Sequence, residues 1–406
     1  MMYLGIDWSQ AKHDACFLTD TGSIAAQLTF AHHPDGFAKL DALRRQLGIP
    51  LDVCCVGLET AHSLLIDWLW TRGYTHLFVI PPNAVKSARQ RYRQTGARTD
   101  QYDAFVIADM LRTDQARLQP WYPDSPITQS IRAKVSLLLH LSQETTRTSN
   151  RLRAVLARYY PAALAVFRDL ASPVALQFIQ AFPTPQLAAH LSRADFAAFV
   201  RAHHYRQSEQ VLTKAYLRLQ QAYPPATAGT IDAYCDEAVL LAEVLLALVQ
   251  RRRTQLQALQ VLFQQHPDAP IFASLPGAGD LLAPALLSKF GDDRRRFPTP
   301  SSVQCIAGTC PVTEASGKQR VIKFRKACDR EFRLIAQQWA RASLVKSTWA
   351  NDYWSRLRPN CTSDSHAYRC LANRWLAIVW KLWQTHQPYD ETYHLRQRLL
   401  RSQGAV

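Results

Sequence analysis

The sequence lacks an apolar stretch that is long enough to cross a membrane. The most apolar run of its 406 residues extends from Ala238 to Val249 and contains Glu243, whereas a membrane-spanning helix needs about 20 apolar residues. The N-terminus, MMYLGIDWSQ, has no basic segment followed by an apolar one, so we expect no signal peptide. Internal repeats and low-complexity tracts are missing too. These absences argue against a membrane-spanning protein and against a repeat protein.

Paired CxxC motifs are also missing. The nine cysteines are scattered, and two of them, Cys54 and Cys55, are adjacent. His366 and His386 have no partner at metal-ligating spacing. We therefore expect no structural zinc site, structural roles for both histidines, and free thiols, which suit the reducing cytoplasm.

Acidic residues are few relative to basic ones. The chain has 32 Asp and Glu against 48 Lys and Arg, a net charge of +16. Hydrophobic residues make up 48% of the sequence, which is enough to bury cores and excludes a disordered chain. The basic excess indicates a polyanionic partner, with nucleic acid first and an anionic membrane surface second.

Short apolar runs alternate with helical spacing over residues 1–125 and predict the order β-β-β-α-β-α-β-α. Predicted strands are Tyr3–Asp7, His13–Leu18, Ser23–Phe30, Leu51–Leu58 and His76–Ile80. This order suits an RNase H-like (RuvC-like) mixed sheet whose first three strands are antiparallel. The predicted fold class is therefore α/β plus all-α, because the rest of the chain reads as helical.

The remaining residues divide into three predicted regions. Residues 126–267 form a helical or coiled-coil region, with long helices at about Ile127–Tyr159 and Ile231–Phe263. Residues 268–355 form a mainly helical domain, and residues 356–406 form a basic helical tail. Six of the ten tryptophans lie between Trp339 and Trp383. We interpret them as helical core, with base stacking by one or two rings as the alternative.

Four carboxylates stand at positions that the predicted sheet brings together. Asp7 ends the first strand, and Glu59 follows the fourth. Asp100 and Asp103 share one face at the start of a helix. Clustered carboxylates repel one another unless cations neutralise them, and oxygen ligands select Mg²⁺ or Mn²⁺. Two such ions about 4 Å apart would clamp the oxygens of a phosphodiester displacement.

Simpler interpretations of these carboxylates stay open. Asp100 alone could cap a helix. Asp7 alone could belong to a sugar-kinase-like ATPase, which also opens with a Gly-Ile-Asp strand. The glycine-rich phosphate turn of such ATPases is missing after Asp7, where Trp8 to Lys12 contains no glycine. Asp14 and Asp109 lie near the site in sequence, either as supporting or as unrelated residues.

Basic residues and glycines mark three candidate nucleic-acid contacts. A strip before Asp100 contains no acidic residue and five basic ones: Lys86, Arg89, Arg91, Arg93 and Arg98. Such a strip suits binding to a phosphate backbone, but it is also typical of a solvated loop. Gly277 and Gly279 lie in a Leu-Pro-Gly-Ala-Gly turn that resembles a helix-hairpin-helix, although a plain helix turn also uses Pro-Gly. Such a turn would bind the DNA backbone without reading bases.

Ser316-Gly317-Lys318 is predicted to lie in a loop that follows a helix. Basic residues are dense in and after this loop: Lys318, Arg320, Lys323, Arg325 and Lys326. A serine hydroxyl is a poor nucleophile without activation, and Ser-Gly is a common turn, so these residues alone do not indicate catalysis.

Taken together, these pieces resemble the DEDD transposases of bacterial and archaeal insertion sequences. That family includes the Piv-type DNA invertases and the recombinases guided by a bridge RNA. The resemblance covers most of residues 1–350. The family's Asp, Glu, Asp, Asp order is matched by the four carboxylates. Its C-terminal motifs are matched by Pro276-Gly277-Ala278-Gly279 and by Ala307-Gly308-Thr309-Cys310-Pro311 through Ser316-Gly317-Lys318.

The resemblance implies a function and a site. Ser316 would attack DNA and form a transient covalent link to a strand end, beside Mg²⁺ (or Mn²⁺) held by the carboxylates. The composite site would form between protomers of a dimer or tetramer, with the helical region as an assembly arm. The partners would be DNA and a structured guide RNA, in the cytoplasm of a prokaryotic cell and associated with its nucleoid.

Three other functions remain open from the sequence. A RuvC-like nuclease would share the carboxylates but attack with metal-activated water. A non-catalytic nucleic-acid-binding protein would need no divalent metal. An actin-like sugar kinase is disfavoured by the missing glycine-rich loop.

Overall fold

A computed structural model describes residues 1–61, 63–91, 99–317 and 319–403. The chain forms two compact units, Met1–Pro123 and Asp124–Val406, which we name the N-terminal and C-terminal units. Within the described ranges, no helix has the length and apolar character needed to cross a membrane.

The N-terminal unit is a mixed sheet covered by helices. Its elements are β1 (Met2–Asp7), β2 (Lys12–Leu18), β3 (Ile24–Ala31), α1 (Pro34–Gln46), β4 (Cys54–Leu58), α2 (Leu64–Thr71), β5 (Leu77–Val79), α3 (Pro82–Arg89) and α4 (Asp100–Asp114). The strand order is β3-β2-β1-β4-β5. Strands β1 to β3 are antiparallel neighbours, and β4 and β5 continue the sheet in parallel with β1. The predicted element order and the antiparallel first three strands are confirmed.

Helices on both faces explain why the central strands are apolar throughout. On one face, Leu4 and Ile6 pack in a core with α1 and α2. On the other face, Tyr3 and Cys55 pack with α3 and α4. The strand predicted at Leu51–Leu58 begins later, because Leu51–Val53 form a 3-10 turn before β4.

Two paired glycines form the part of the sheet on which α4 rests. Gly5 of β1 and Gly57 of β4 are partners in the parallel ladder. A Cβ atom on Gly5 would lie 2.1 Å from the carbonyl oxygen of Ala104, and one on Gly57 would lie 2.8 Å from Cγ2 of Ile107. Helix α4 therefore lies closer to the strands than any larger residue at Gly5 would allow.

The C-terminal unit is mainly helical and contains one β-hairpin. Its elements are α5 (Pro126–Tyr159), α6 (Pro161–Val166), α7 (Pro173–Ala181), α8 (Pro185–Ala189), α9 (Arg193–Ala202), α10 (Glu209–Leu219), α11 (Ala228–Gln264), α12 (Ala269–Ala273), α13 (Gly279–Phe290), α14 (Pro300–Ile306), β6 (Val312–Ser316), β7 (Gln319–Lys323), α15 (Arg330–Ser343), α16 (Thr348–Leu357), α17 (Asp364–Thr385) and α18 (Glu391–Gln403). Further 3-10 turns in the chain are Gln115–Arg117, Arg294–Arg296 and Arg358–Asn360.

The two long helices α5 and α11 lie antiparallel and agree with the predicted helices to within a few residues. The ammonium of Lys134 donates to Gln255 at 2.9 Å near one end, and Arg151 donates to Glu237 at 2.8 Å near the other. One end of the pair shares a core with α6 to α10. The other end shares a core with α12 to α17, so the pair connects two hydrophobic cores.

The tryptophan-rich segment belongs to that second core. Trp339, Trp375 and Trp383 are fully buried. The indole of Trp375 donates to Oγ of Ser343 at 2.9 Å, and that of Trp339 donates to the carbonyl of Pro276 at 3.0 Å. These three rings are not available for base stacking, and their interpretation as helical core is confirmed.

The close contact of α4 predicts a strong effect of Gly5→Ala. We expect this variant to lower the free energy of unfolding of the full chain by about 1–3 kcal/mol, because overpacking forces a backbone shift. The matched control is Gly229→Ala near the start of α11, where a Cβ meets nothing within 4 Å. Thermal unfolding of both variants checks this, and equal stabilities would show that α4 does not need the glycine.

Candidate catalytic centre

Strand register places Asp7 and Glu59 at the same edge of the sheet. Ile6 of β1 pairs with Leu58 of β4 in the parallel ladder. The next residue of each strand segment is an acid, Asp7 in one and Glu59 in the other. Because parallel strands end at one edge, their last side chains become neighbours. The predicted juxtaposition of the two acids follows from this register.

Helix α4 brings the other two carboxylates to the same place. Thr99 caps its N-terminus by accepting from the backbone N–H of Tyr102 at 3.2 Å. Asp100 and Asp103 both lie in the first turn, where negative charge is favourable. Asp103 is 8% exposed, whereas Asp100 is largely exposed.

Electrostatics show that the four carboxylates share one neighbourhood. Burial first, and then the charges of Glu59, Asp103 and Asp100, raise the pKa of Asp7 to about 7. The guanidinium of Arg89 acts in the opposite direction. Each of the three other acids therefore lies close enough to Asp7 to oppose its ionisation.

Two cations offset part of this repulsion. Arg89 of α3 donates from Nε and Nη2 to the two carboxylate oxygens of Asp103, both at 2.5 Å. The ammonium of Lys12 lies 3.9 Å from Asp100. Arg89 was predicted as a nucleic-acid contact from its place in the basic strip. In the structure it binds Asp103, because a buried carboxylate is costly without a cationic partner, and its contact with nucleic acid stays a prediction.

The carboxylates fit a hard divalent cation by their chemistry, since they offer oxygen atoms only. In the described part of the chain, no three of these carboxylates have one oxygen atom each within 4.8 Å of one another. An ion held by three of these carboxylates would therefore require side-chain rotation. Of the two other nearby acids, Asp14 accepts from Thr29 and Asp109 pairs with Arg112 at 2.7 Å.

The rest of the basic strip is partly described. Lys86 is exposed on α3. Arg91 is exposed too and lies 3.5 Å from Asp114. Arg93 and Arg98 lie outside the described residues. Of the predicted phosphate contacts in this strip, Lys86 and Arg91 keep a solvent-facing position that suits the role.

The Pro-Gly turn joins a short helix, α12, to α13. Gly277 has a φ of 74°, and a Cβ there would lie 2.5 Å from the carbonyl oxygen of Ala342. Its lack of a side chain thus permits close packing against α15 rather than approach to a phosphate. Gly279 begins α13, and a Cβ there would meet nothing within 4 Å. Gly279 remains the better candidate for a backbone contact to DNA.

The sequence predicted that Ser316 lies in a loop after a helix, and this prediction is wrong. Ser316 is the last residue of β6 and pairs with Gln319 of β7. Gly317, the next residue, has a φ of 55°, which is typical of tight hairpins. The β-branched residues of VTEAS and QRVIK favour strands here. The serine therefore stands exposed at the tip of a β-hairpin.

The predicted basic residues of this hairpin and of the segment after it differ in their exposure and binding partners. Arg320 and Lys326 are exposed, and Lys323 binds Glu314 at 2.5 Å across the strands. Arg325 donates to the carbonyls of Cys310 and Pro311 and so holds the base of the hairpin. Lys318 lies outside the described residues.

Sequence reasoning missed the residues that position the carboxylates. Gly5 and Gly57 were not singled out, although two strands that each carry a glycine two residues before an acid are a readable signal. Lys12 and the pairing of Arg89 with Asp103 had no signal in the spacing, because the fold brings them together from different elements.

Two family models match the chain. The first, described as Transposase and representing the DEDD transposases of IS110, matches residues 4–161. The second, described as Transposase IS116/IS110/IS902 family, matches residues 269–355. The first range contains the four carboxylates, and the second contains Ser316.

Curated relatives agree with these matches. The chain is 30% identical over 396 residues to the mini-circle putative transposase for IS117 of Streptomyces coelicolor, covering 96% of this chain and 95% of the relative. It is 31% identical over 208 residues to the putative transposase y4uE of Sinorhizobium fredii, with 50% and 57% covered. It is 30% identical over 290 residues to an uncharacterized 43.6 kDa protein of insertion element IS110 from S. coelicolor, with 70% of each chain covered.

The raised pKa of Asp7 predicts a pH-dependent metal affinity. A cation must displace the proton of Asp7, so affinity for Mn²⁺ should fall as pH drops below about 7, by up to about tenfold per pH unit. Above that pH the affinity should level off. This affinity can be measured by titrating the full chain with Mn²⁺ at several pH values between 6 and 8, with water proton relaxation as the readout.

The control is Asp52→Asn, an exposed acid away from the four carboxylates, which should leave the profile unchanged. Asp7→Asn should weaken binding and remove the inflection. A flat profile in the unmodified chain would contradict the electrostatic coupling of Asp7.

Proposed function

The chain belongs to the IS116/IS110/IS902 family of transposases, and we propose that it cuts and rejoins DNA strands with four carboxylates and a serine nucleophile. The observation that carries this proposal is the convergence of Glu59, Asp100 and Asp103 on Asp7 at one edge of the sheet, which raises the pKa of Asp7. Three acids from two other segments of the chain, Glu59 after β4 and Asp100 and Asp103 on α4, would not be gathered around a half-buried carboxylate for stability, because the arrangement is repulsive. Such clusters are typical of functional sites.

Asp7, Glu59, Asp100 and Asp103 are the residues that would hold the divalent ion, and we propose Mg²⁺, with Mn²⁺ as a substitute. A bound ion would stabilise negative charge on the attacking and departing oxygens of a phosphodiester. The chain's own residues control access to the site. Arg89 neutralises Asp103, and its release makes both oxygens of that carboxylate available.

Ser316 is the proposed nucleophile. Its Oγ forms a bond to a backbone phosphorus while one P–O bond of the DNA strand breaks. The serine loses its proton, and the departing oxygen gains one. Rejoining reverses this exchange, because a strand hydroxyl attacks the same phosphorus and releases the serine. One ester is exchanged for another, so the reaction needs no external energy source.

The position of Ser316 supports this role. The hairpin tip is exposed, so a DNA strand can reach it without rearrangement of a core. Exposed Arg320, which pairs with Ala315 next to the serine, supplies positive charge near it, and such charge attracts phosphates. The same charge would stabilise negative charge that develops on the phosphate oxygens.

We further propose a structured guide (bridge) RNA and an assembly of two to four chains. The net charge of +16 supports a large polyanionic partner. On α11, Leu240 and Val244 lie one turn apart and are 59% and 44% exposed. This apolar pair supports contact with α11 of a second copy. A composite of this kind would act on DNA in the prokaryotic cytoplasm, at the nucleoid.

Ser316→Ala and Asp7→Ala separate the proposed roles. With DNA that carries the joined ends of the element, we expect both variants to bind DNA but to lose recombination by at least about 1000-fold. The unmodified chain should form a covalent protein–DNA adduct that maps to Ser316. The matched control is Thr313→Ala, which removes another exposed hydroxyl of β6 and should retain the adduct.

Other outcomes would contradict the proposal in distinct ways. Cleavage by Ser316→Ala at the normal rate would indicate a RuvC-like nuclease that uses water. Recombination by Asp7→Ala at the normal rate would exclude the carboxylates from the chemistry.

A further inference from the structure

Two cysteines and a histidine of the C-terminal unit converge on one point. Cys361 follows a 3-10 turn, and His366 and Cys370 lie in the first two turns of α17. One ligand atom from each of the three lies within 4.8 Å of the others. We propose that Cys361, His366 and Cys370 bind a Zn²⁺ ion.

The geometry of the cluster is close to that of a zinc site. His366 and Cys370 are four residues apart on one helix, so they share a face. In a tetrahedral site with bonds of about 2.0–2.3 Å, ligand atoms lie about 3.4–3.8 Å apart. The observed limit of 4.8 Å therefore requires only small side-chain movements. Cys361 approaches from the preceding turn and completes a three-sided arrangement.

The donor chemistry separates this cluster from the carboxylate centre. Two sulfurs and an imidazole nitrogen are soft and borderline ligands, which favour Zn²⁺ over Mg²⁺. Cys361 is 9% exposed and the other two are half-buried, so the site is shielded. Three protein ligands leave the fourth position for water or a further donor.

The backbone around the ligands is held by other contacts. Cys361 donates from its backbone N–H to the carbonyl of Arg358 at 3.0 Å, and Arg358 donates back to the carbonyl of Cys361 at 3.1 Å. Ser363 caps α17 by accepting from the backbone N–H of His366 at 3.2 Å. Thr362 Oγ1 lies 3.4 Å from Nδ1 of His366 and limits the rotation of the ring. The ligands are therefore preorganised, which favours binding.

Other cysteines in the same unit do not form such a cluster. Cys305 and Cys310 lie 3.3 Å apart by their sulfur atoms. Among the described residues, however, no histidine, cysteine or acid joins them within ligand distance. This pair is therefore a matched control for thiol chemistry without a third ligand.

The spacing of the sequence did not indicate this cluster; contrary to the expectation that His366 has no partner for a metal site, Cys361 and Cys370 each bring a ligand atom within 4.8 Å of it. The pattern is Cys-x₄-His-x₃-Cys, which differs from paired CxxC motifs. The cluster also lies outside both matched family ranges, 4–161 and 269–355. It becomes visible only when the 3-10 turn places Cys361 against α17.

The site connects to the serine hairpin through one arginine. Arg369 precedes Cys370, and its guanidinium lies 4.8 Å from the ring centre of Phe324. Phe324 follows β7 directly, and Arg333 of α15 stacks on the same ring at 4.5 Å. An ion that fixes the first turns of α17 therefore stiffens the base of the hairpin. This effect is structural and independent of the reaction assigned to Ser316.

Zinc content and cobalt spectroscopy test the proposal directly. The full chain, purified with excess Mg²⁺ to fill the carboxylates, should retain one zinc per chain. Replacement by Co²⁺ should produce thiolate-to-cobalt charge-transfer absorption, which oxygen ligands cannot give. Cys361→Ser and Cys370→Ser should each weaken zinc binding by more than about 100-fold, since even supporting residues of metal sites account for about 10–100-fold.

Two further variants guard against effects on folding. Cys305→Ser should keep both the zinc and the cobalt absorption. His366→Cys should also keep them, because it leaves three ligands. Substoichiometric zinc in the unmodified chain, or full zinc retention by Cys361→Ser and Cys370→Ser, would overturn the proposal.

Discussion

The contact between α4 and the glycine pair Gly5 and Gly57 is the constraint on which the candidate centre depends. A helix normally rests on a sheet through interdigitated side chains, whose volume keeps the two backbones apart. Here the missing Cβ atoms let the backbone of α4 approach the strands directly. The first turn of α4 therefore lies at the height of the strand ends. Asp103 therefore lies close enough to Asp7 to oppose its ionisation, and a larger separation of α4 from the sheet would leave only Asp7 and Glu59 as neighbours.

Charge balance explains how the fold tolerates this crowding. The raised pKa of Asp7 keeps part of the negative charge off the cluster near neutral pH, and Arg89 compensates Asp103. The hydrophobic cores on both sides of the sheet hold the strands whatever the ionisation of their ends. A divalent ion would take over the role of the proton and of Arg89. The four carboxylates thus form a repulsive arrangement that a bound cation would relieve.

Much of this organisation was predictable from sequence because it depends on local periodicity. The strands of the N-terminal unit and helices α5 and α11 followed from runs and spacings of apolar residues. Asp7 and Glu59 could be paired because strand order determines which ends meet. The hairpin of Ser316 was missed, because its two strands have five residues each and are mostly exposed, so they show no alternation of buried and exposed residues. The role of Gly277 was missed because its partner, Ala342, lies far along the chain. The Cys361 cluster had the same obstacle, because a turn rather than a motif assembles it.

The most direct test of the central claim is to locate Mn²⁺ by anomalous diffraction in crystals of the full chain. The account predicts a peak bounded by Asp7, Glu59, Asp100 and Asp103, with Arg89 turned away from Asp103. Such a peak should vanish in crystals of Asp103→Asn. Ordered crystals with Mn²⁺ in excess and no peak among these four side chains would contradict the account.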